Sequence, residues 1–306
     1  MKPYTLNYDL EIRVPKNIPL KRSKLVVKYD NIIKEFSLQY IFKNSYVILK
    51  PCKEIPILIT DENENVYEFT DWDLVEDELV LEYVFYEGNG NVLHDLSENG
   101  IDAEISNAEW TLLKTGKYAL YFDGHKSYVA IPNHKKLNLD DKYDNITIEI
   151  AFNATNPKKS KHQVIYEEGG DVNGLNFYID PNGNLCVGMW AESLGFNGIW
   201  IQSPIEANKW YHVVFILKDG KHIYVYINGN LVGHYDEATS LPHHPGYISI
   251  GATRAGTKYH DIGDNPCKLC DFFEGYVALL RRWNRVLEVN EINFLYKYFK
   301  WYIGLE

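Results

Sequence analysis

The sequence WYHVVFILKDGKHIYVYINGNLV, residues 210–232, contains three runs of strand-forming residues separated by an Asp-Gly pair at 219–220 and an Asn-Gly pair at 228–229. Asp-Gly and Asn-Gly pairs readily adopt the positive φ angles of two-residue hairpin turns. A third pair, Asn-Gly at 182–183, separates two further runs of the same kind. Repeated hairpins predict an antiparallel meander that closes into a sandwich or jelly roll.

The segment that precedes residue 78 carries its own strand signals. Residues 6–14 alternate apolar and polar side chains, as a half-buried strand requires. Shorter β-rich runs follow at 25–27, 46–49, 57–59 and 66–69. An acidic stretch at 71–78 separates these runs from the rest of the chain. We therefore predict a small β-sandwich attachment domain at 1–77 and a larger jelly roll at 78–306.

The C-terminal segment has a different periodicity. Ile292, Leu295, Tyr296 and Phe299 recur at helical spacing. The fold class expected for the whole chain is therefore all-β, with one short amphipathic helix that caps the larger domain.

Composition excludes several function classes. Of the 306 residues, 45% are hydrophobic and 24% are charged, which is typical of a folded globular protein. The formal net charge is −11 and the basic residues are scattered, which argues against a nucleic-acid partner. The first residues contain no apolar run of signal-peptide length, and no later run is long enough to span a membrane. We expect neither Sec export nor membrane insertion.

Residues 79–299 resemble the laminin-G-like jelly roll of the concanavalin A-like lectin and glucanase superfamily. No single motif is specific, but the segments occur in the order of the family. In chain order they are LEYVF (81–85), GNG (88–90) with Val92, Asp95, Ser97 and NG (99–100), GKYALYFDG (116–124), YVAIP (128–132), NITIE (145–149), WYHVV (210–214), YVYING (224–229), ISIG (248–251), FEGYV (273–277) and WNRVL (283–287).

The resemblance implies a lectin-like sandwich, while function stays open because this fold carries lectins, lyases, glucanases and spacers. Relatives with a structural calcium often use an Asp in the closing strand, and the matching residue here is Ala278. The remaining candidate calcium ligands are Asp95 and the carbonyls around Gly88. No cofactor is expected to be required, and a structural calcium remains an open alternative.

Residues 190–200 combine the chemistry that sugar binding needs. Aromatic rings stack on the C–H faces of sugars, and nearby amides and carboxylates pair with the hydroxyls. Trp190, Glu192, Asn197 and Trp200 supply this mixture on a predicted strand, loop and returning strand. The alternative for either tryptophan is packing between the sheets, because large aromatics dominate sandwich interiors.

A polar segment at 253–272 is predicted to be a long surface loop, and such loops often carry function. It adds Tyr259 and Asp261 to the candidate glycan-binding residues. It also contains Cys267 and Cys270, which can form a local disulfide, stay as free thiols, or supply half of a zinc site with His243, His244 or His260.

Catalysis by a glycosidase would need two carboxylates that face each other across a cleft. Glu167 and Glu168 are adjacent, so a strand would point them to opposite faces. No catalytic residue is therefore assigned, and a polysaccharide hydrolase or lyase is kept only by analogy with the fold.

These observations favour a recognition or adhesion protein that binds glycans or glycoproteins through its larger domain. Residues 1–77 would attach it to other structural proteins, with a homo-oligomer as a further option. A recognition fold without an export signal suggests a virion or appendage component that is cytoplasmic before assembly and extracellular afterwards. The main alternative is a capsid, tail or filament protein whose jelly roll packs only against other subunits.

Overall fold

The structure is a computed structural model that describes strands within 24–69 and residues 78–138, 141–244 and 247–305. The chain splits into two compact units. One unit comprises Met1–Asp77 with Lys114–Lys117, and the other comprises Glu78–Leu113 with Tyr118–Glu306.

The described strands of the first unit form one four-stranded antiparallel sheet in the order β2-β1-β3-β4. They are β1 Lys24–Tyr29, β2 Ile32–Ser37, β3 Ile57–Thr60 and β4 Val66–Phe69. The sequence indicated β1, β3 and β4 but not β2. The strands expected at 6–14 and 46–49 lie outside the described residues, so the sandwich form and the attachment role of 1–77 stay predictions.

Among the described residues of the second unit there are twenty strands followed by one α-helix. The strands are β5 Leu79–Tyr83, β6 Val92–Leu93, β7 Ala103–Ser106, β8 Glu109–Leu112, β9 Tyr118–Asp123, β10 Tyr128–Ile131, β11 Lys142–Tyr143, β12 Ile146–Ala154, β13 Gln163–Gly169, β14 Asn173–Ile179, β15 Asn184–Ala191, β16 Phe196–Pro204, β17 Trp210–Lys218, β18 His222–Ile227, β19 Asn230–Tyr235, β20 Leu241–Pro242, β21 Tyr247–Ile250, β22 Thr257–Tyr259, β23 Gly263–Asn265 and β24 Glu274–Trp283. The helix is α1 Val289–Ile303, and a short 3₁₀ helix spans Glu192–Leu194.

Two large antiparallel sheets form the sandwich. The front sheet has the order β16-β15-β14-β13-β21-β10-β7-β6. The back sheet has the order β19-β18-β17-β12-β24-β9-β8, and β5 pairs with β24 beside this path. Two small ribbons, β11-β20 and β22-β23, lie outside the large sheets. The predicted antiparallel jelly-roll sandwich is confirmed.

The three predicted tight turns join the strands as expected. Asp219 and Gly220 have φ of 56° and 55° between β17 and β18, and Asn228 and Gly229 have 51° and 76° between β18 and β19. The turn at 182–183 joins β14 to β15. Because these residues tolerate positive φ, the local sequence sets the register of each hairpin.

The core lies between the two sheets. Every residue of β12 is buried, and so are the inward-facing residues of β14, β15 and β17. The outer side of the back sheet is covered by α1, whose Phe299 ring lies 5.4 Å from the ring of His212 on β17. The central strands are therefore covered on both faces, which explains their long apolar runs.

Helix α1 confirms the predicted C-terminal helix. Glu288 and Glu291 form a capping box at its start, and Gly304 ends it with a φ of 76°. Ile292, Leu295 and Phe299 are buried against the sheet. Within the part of the chain that the structure describes, no helix is long and apolar enough to cross a membrane.

Arg281 and Arg282 are consecutive residues of β24, and both are buried. Their charged side chains lie on opposite faces of the back sheet. Arg281 bonds Glu149 and Glu82, each at 2.9 Å, on the side covered by α1. Arg282 reaches across the core to Glu168 of the front sheet, with Nε 3.2 Å from Oε2 and Nη2 3.3 Å from Oε1. Burial disfavours the charge of both arginines, but the facing carboxylates outweigh it and raise the pKa of both.

Removing Arg282 should leave the buried Glu168 carboxylate without a cation. We expect Arg282→Leu to lower the free energy of unfolding by about 3–5 kcal/mol. Arg282→Leu combined with Glu168→Leu should recover most of this loss, because neither charge of this pair then remains in the core. The measurement is a urea unfolding curve monitored by tryptophan fluorescence.

Lys209→Ala provides the control, since Lys209 forms an exposed ion pair with Glu206 and should leave the transition unchanged. Equal transitions for Arg282→Leu and Lys209→Ala would contradict a structural role for the buried pair.

Candidate functional site

The outer face of the front sheet is formed by alternate residues of β14 and β15. Phe177 and Val187 point into the sandwich core. Their neighbours Tyr178 and Cys186 therefore point outward, and they are directly opposite each other in the pairing of the two strands. A separate buried cluster of Val164, Tyr178, Cys186 and Tyr259 lies on this outer side. The outer face is thus polar and aromatic, in contrast with the aliphatic interior.

The segment predicted as a long surface loop covers this face. Part of it is the hairpin β22–β23, and Thr257 and Tyr259 of β22 are buried. The base of the cover is held by backbone hydrogen bonds in both directions between Thr253 and Cys270, at 3.1 and 3.3 Å. Residues 253–272 therefore form an ordered cover and not an extended loop.

Trp200 lies at the border between this cover and solvent. Its side chain is half-buried and packs against the outer cluster. A Cβ atom at Gly188 or at Gly198 would come within 2.7 Å of the indole ring, so both glycines leave space for the ring to lie close to the backbone. Its Nε1–H donates to Asn176 Oδ1 at 2.8 Å. These contacts fix an aromatic surface at the edge of the sheet.

A chain of polar contacts leads from Trp200 to Glu192. Asn176 Nδ2 donates to Lys258 O at 2.8 Å and to Thr257 Oγ1 at 2.9 Å. Lys258 Nζ contacts Glu192 Oε1 and lies 3.3 Å from Asp264 Oδ1. Burial opposes the charge of Lys258, but the hydrogen bonds to the two carboxylates outweigh burial and raise its pKa.

Five of the six predicted glycan-binding residues take part in the contacts on this side of the protein, and Asn197 belongs to the same strand as Trp200. The six residues differ in access. Asn197 and Asp261 are exposed, and Glu192 and Trp200 are partly exposed. Trp190 and Tyr259 are fully buried, at 0% and 1% exposure. Any contribution of these two buried residues to ligand binding would have to be indirect.

Trp190 packs beneath the edge of the site. Its ring stacks 6.2 Å from that of Trp200, and its Nε1–H donates to Gly170 O at 2.9 Å. A Cβ at Gly174 would come within 2.6 Å of the Trp190 ring. Trp190 therefore supports Trp200 from inside the protein.

The tip of the β22–β23 hairpin is held by histidines. His162 Nε2 lies 2.8 Å from Asp261 Oδ1, and its ring stacks at 4.1 Å on Tyr259. His260 Nδ1 lies 2.5 Å from the hydroxyl of Tyr178. The pKa of Tyr259 is raised, first by burial and then by the nearby Asp271 carboxylate, to which its hydroxyl donates at 2.7 Å.

Sequence reasoning missed Asn176 and Lys258 as the links of this site, and it assigned no role to Cys186. A signal for Asn176 and Cys186 was present, because polar and small residues alternate with core residues along β14 and β15. The hairpin that covers them could not be inferred from that alternation.

The candidate calcium ligands have other partners. The Asp95 carboxylate accepts hydrogen bonds from the backbone N–H groups of Glu82, Ser97 and Ile101 at 2.8–2.9 Å, and from Ser97 Oγ at 2.7 Å. Gly88 has a φ of 69° and faces the ring of Tyr118. The Asp95 carboxylate thus stabilises the opening turn of the domain, and calcium binding by Asp95 and Gly88 stays a prediction.

The two cysteines of the Cys-x-x-Cys segment, Cys267 and Cys270, are joined as a disulfide in the structure. Cys186 is a buried free thiol. Among the described residues, only Asp180, Cys186 and His260 form a group of three potential metal ligands with ligand atoms within 4.8 Å of one another.

Glu167 and Glu168 point to opposite faces, as their adjacency predicted. Glu168 faces the core, where it pairs with Arg282 and accepts a hydrogen bond from Tyr166 at 2.7 Å. Glu167 is fully buried beneath the cover, opposite Asn176 in the strand pairing. Burial, and then the charge of Glu168, raise the pKa of Glu167 well above 4.5. The two carboxylates therefore do not form a facing catalytic pair.

Comparisons with known proteins agree with this fold. A family model for the concanavalin A-like lectin and glucanase superfamily matches residues 123–293, more than half of the chain. No curated protein matches the chain. Among solved structures, the binding domain of Paraclostridial Mosquitocidal Protein 1 is similar, with a TM-score of 0.57 and 14% identity over 73% of this chain and 53% of that chain.

Two further similar structures come from proteins with different activities. One concerns botulinum neurotoxin type C, whose cell entry depends on two ganglioside molecules; its TM-score is 0.53, at 16% identity over 73% of this chain and 52% of that chain. The other is a Trypanosoma rangeli sialidase mutant with trans-sialidase activity; its TM-score is 0.55, at 18% identity over 75% of this chain and 34% of that chain. The chain thus spans about half of the two toxin chains and a third of the sialidase, and these likenesses show the fold alone.

Replacing Glu167 tests the environment under the cover. Its raised pKa means that the folded state binds the proton more tightly than the unfolded state. This stabilisation is fully present below the unfolded pKa near 4.5 and is lost as the pH rises through the raised folded pKa. We therefore expect Glu167→Gln to be more stable than the parent protein at pH 7, with the difference shrinking toward pH 4.

The measurement is the free energy of unfolding across this pH range, with Glu206→Gln at an exposed position as control. A constant difference between Glu167→Gln and the parent at every pH would contradict a raised pKa.

Proposed function

This chain belongs to the concanavalin A-like lectin and glucanase superfamily, and from that premise we propose that its front-sheet edge around Trp200 binds glycans as a recognition or adhesion surface. The proposed surface, termed the Trp200 edge, consists of Glu192, Asn197, Trp200, Lys258 and Asp264. The observation that carries the proposal is a half-exposed indole ring that lies close to two glycines and donates a hydrogen bond to Asn176. Asn176 in turn bonds the backbone of Lys258, whose ammonium group contacts Glu192 and Asp264.

This arrangement suits the chemistry of a sugar. A pyranose ring presents C–H groups that stack on an aromatic face, and its hydroxyls need donors and acceptors at the rim. The hydrogen bond from Trp200 to Asn176 fixes the ring before a ligand arrives. Preorganisation reduces the conformational entropy lost on binding.

A non-catalytic role is part of this proposal. Glu168 is neutralised by Arg282 in the core, and Glu167 lies beneath the cover with a raised pKa. Glu167 and Glu168 do not face each other across the Trp200 edge. A hydrolase or lyase would release reducing ends or unsaturated products from a polysaccharide panel, and we expect neither product.

The biological setting rests on the sequence pattern alone. We place the protein on the outside of a virion or appendage, attached through residues 1–77. The competing structural role predicts a discrete oligomer by light scattering together with no glycan binding.

The test of the Trp200 edge is a glycan-array screen of the full-length protein with calcium and with EGTA, followed by titration of the best glycan. We expect Trp200→Ala to weaken binding about tenfold or more, because the stacking face is lost. Trp200→Phe keeps a ring and should retain part of the affinity.

Trp210→Ala is the matched control, since Trp210 is half-buried on the back sheet and should leave binding unchanged. Circular dichroism establishes that each variant is folded. Equal affinities for a folded Trp200→Ala variant and the parent would show that glycans do not bind at this edge.

A further inference from the structure

Three side chains with different ligand chemistry converge under the tip of the β22–β23 hairpin. A carboxylate oxygen of Asp180, the sulfur of Cys186 and an imidazole nitrogen of His260 lie within 4.8 Å of one another. Asp180 and Cys186 are buried, whereas His260 is exposed. The group is therefore accessible from solvent on one side and enclosed by protein on the other.

Asp180 is held in place by the turn that joins β14 to β15. Its Oδ1 accepts from the backbone N–H groups of Asn182 and Asn184 at 2.9 and 2.8 Å, and its Oδ2 accepts from Asn184 Nδ2 at 2.9 Å. A carboxylate has about four acceptor sites, so three such bonds leave capacity for a further partner. The carboxylate is thus both oriented and able to bind a cation.

Cys186 is fully buried and is not part of the disulfide. Its thiol makes a weak hydrogen bond to Asn184 O, at 3.7 Å. Its side chain packs with Val164, Tyr178 and Tyr259, and its sulfur lies within 4.8 Å of the ligand atoms of Asp180 and His260. A soft ligand atom therefore lies beside a carboxylate and an imidazole.

His260 is oriented by Tyr178 from the neighbouring strand. The Tyr178 hydroxyl lies 2.5 Å from His260 Nδ1 and accepts the backbone N–H of His260 at 2.9 Å. A hydrogen-bonded partner that fixes the imidazole ring is a common feature of metal-binding histidines. Tyr178 therefore acts as a positioning residue for the third ligand.

We propose that Asp180, Cys186 and His260 together bind one borderline-soft divalent cation, for which Zn²⁺ is the best-suited ion. Thiolate and imidazole ligands favour Zn²⁺ over Ca²⁺ or Mg²⁺. Three protein ligands leave the fourth tetrahedral position to water or to another small ligand. On binding, the Cys186 thiol releases its proton to solvent, and the thiolate coordinates the ion.

This site would tie the hairpin tip to β14 and β15 and so fasten the cover on the front sheet. The site does not include Cys267 and Cys270, which lie near the base of the cover and not at the hairpin tip. The inference does not depend on glycan binding, because its ligands and its readout are separate from the Trp200 edge.

The test is a titration of metal-free full-length protein with Co²⁺, which reports thiolate coordination through a charge-transfer absorption in the near ultraviolet. We expect one Co²⁺ per chain, displaced by Zn²⁺, and no charge-transfer band in Cys186→Ser. The double variant Cys267→Ser/Cys270→Ser is the matched control and should keep the band. A band that is missing in the parent, that persists in Cys186→Ser, or that disappears in the double variant would overturn the proposal.

Two further variants, one at an exposed residue and one conservative, distinguish loss of metal binding from loss of folding. His260→Gln changes an exposed residue and should abolish the rise in Tm that Zn²⁺ produces in the parent. Tyr178→Phe retains the ring and should lower Zn²⁺ affinity about 10-fold to 100-fold. An equal Zn²⁺-induced Tm rise in His260→Gln and the parent would also overturn the proposal.

Discussion

The placement of two adjacent arginines on β24 is the constraint on which the larger unit depends. Successive residues of a strand point to opposite faces, so Arg281 must be neutralised under α1 while Arg282 must be neutralised within the sandwich. Glu149 and Glu82 serve the first arginine, and Glu168 serves the second across the core. Since an unpaired charge in the interior is costly, these pairings restrict how the two sheets and the helix can be arranged.

The directions of the side chains on the front sheet follow from this arrangement. With Glu168 directed inward, its neighbour Glu167 is directed outward beneath the cover, and the polar groups buried there need hydrogen-bond partners. The β22–β23 hairpin provides this cover through its bonds to Asn176 and Tyr178. The cover stops at Trp200, which leaves an aromatic ring with polar neighbours at the border with solvent. The proposed glycan surface and the proposed metal ligands are both consequences of how this hairpin lies on the sheet.

The fold alone does not distinguish a binding function from a catalytic one. Similar sandwiches occur in toxin binding domains and in a sialidase, at identities of 14–18%. What distinguishes this chain is the chemistry of one sheet face, where the carboxylates are paired or buried and the accessible groups are suited to hydrogen bonding and stacking. Recognition is therefore the function that this chemistry favours.

The sequence by itself determined the hairpin strands with their tight turns and the C-terminal helix of the larger unit, but not the β22–β23 hairpin. Asp219, Gly220, Asn228 and Gly229 act on the adjacent backbone, so their effect can be inferred locally. The opposite directions of Glu167 and Glu168 followed from the same two-residue period. The family resemblance, which rests on short segments in order, was confirmed for the same reason.

Only the tertiary structure decided which of the candidate residues reach solvent. Trp190 and Trp200 lie on adjacent strands, yet Trp190 is enclosed and Trp200 is partly exposed, because Trp190 packs beneath Trp200 and against the backbone at Gly170 and Gly174. Likewise, Asp180 and Cys186 meet His260 only when the hairpin folds back on β14 and β15. Such contacts join residues far apart in the chain, and they depend on strand register and packing that no local pattern encodes.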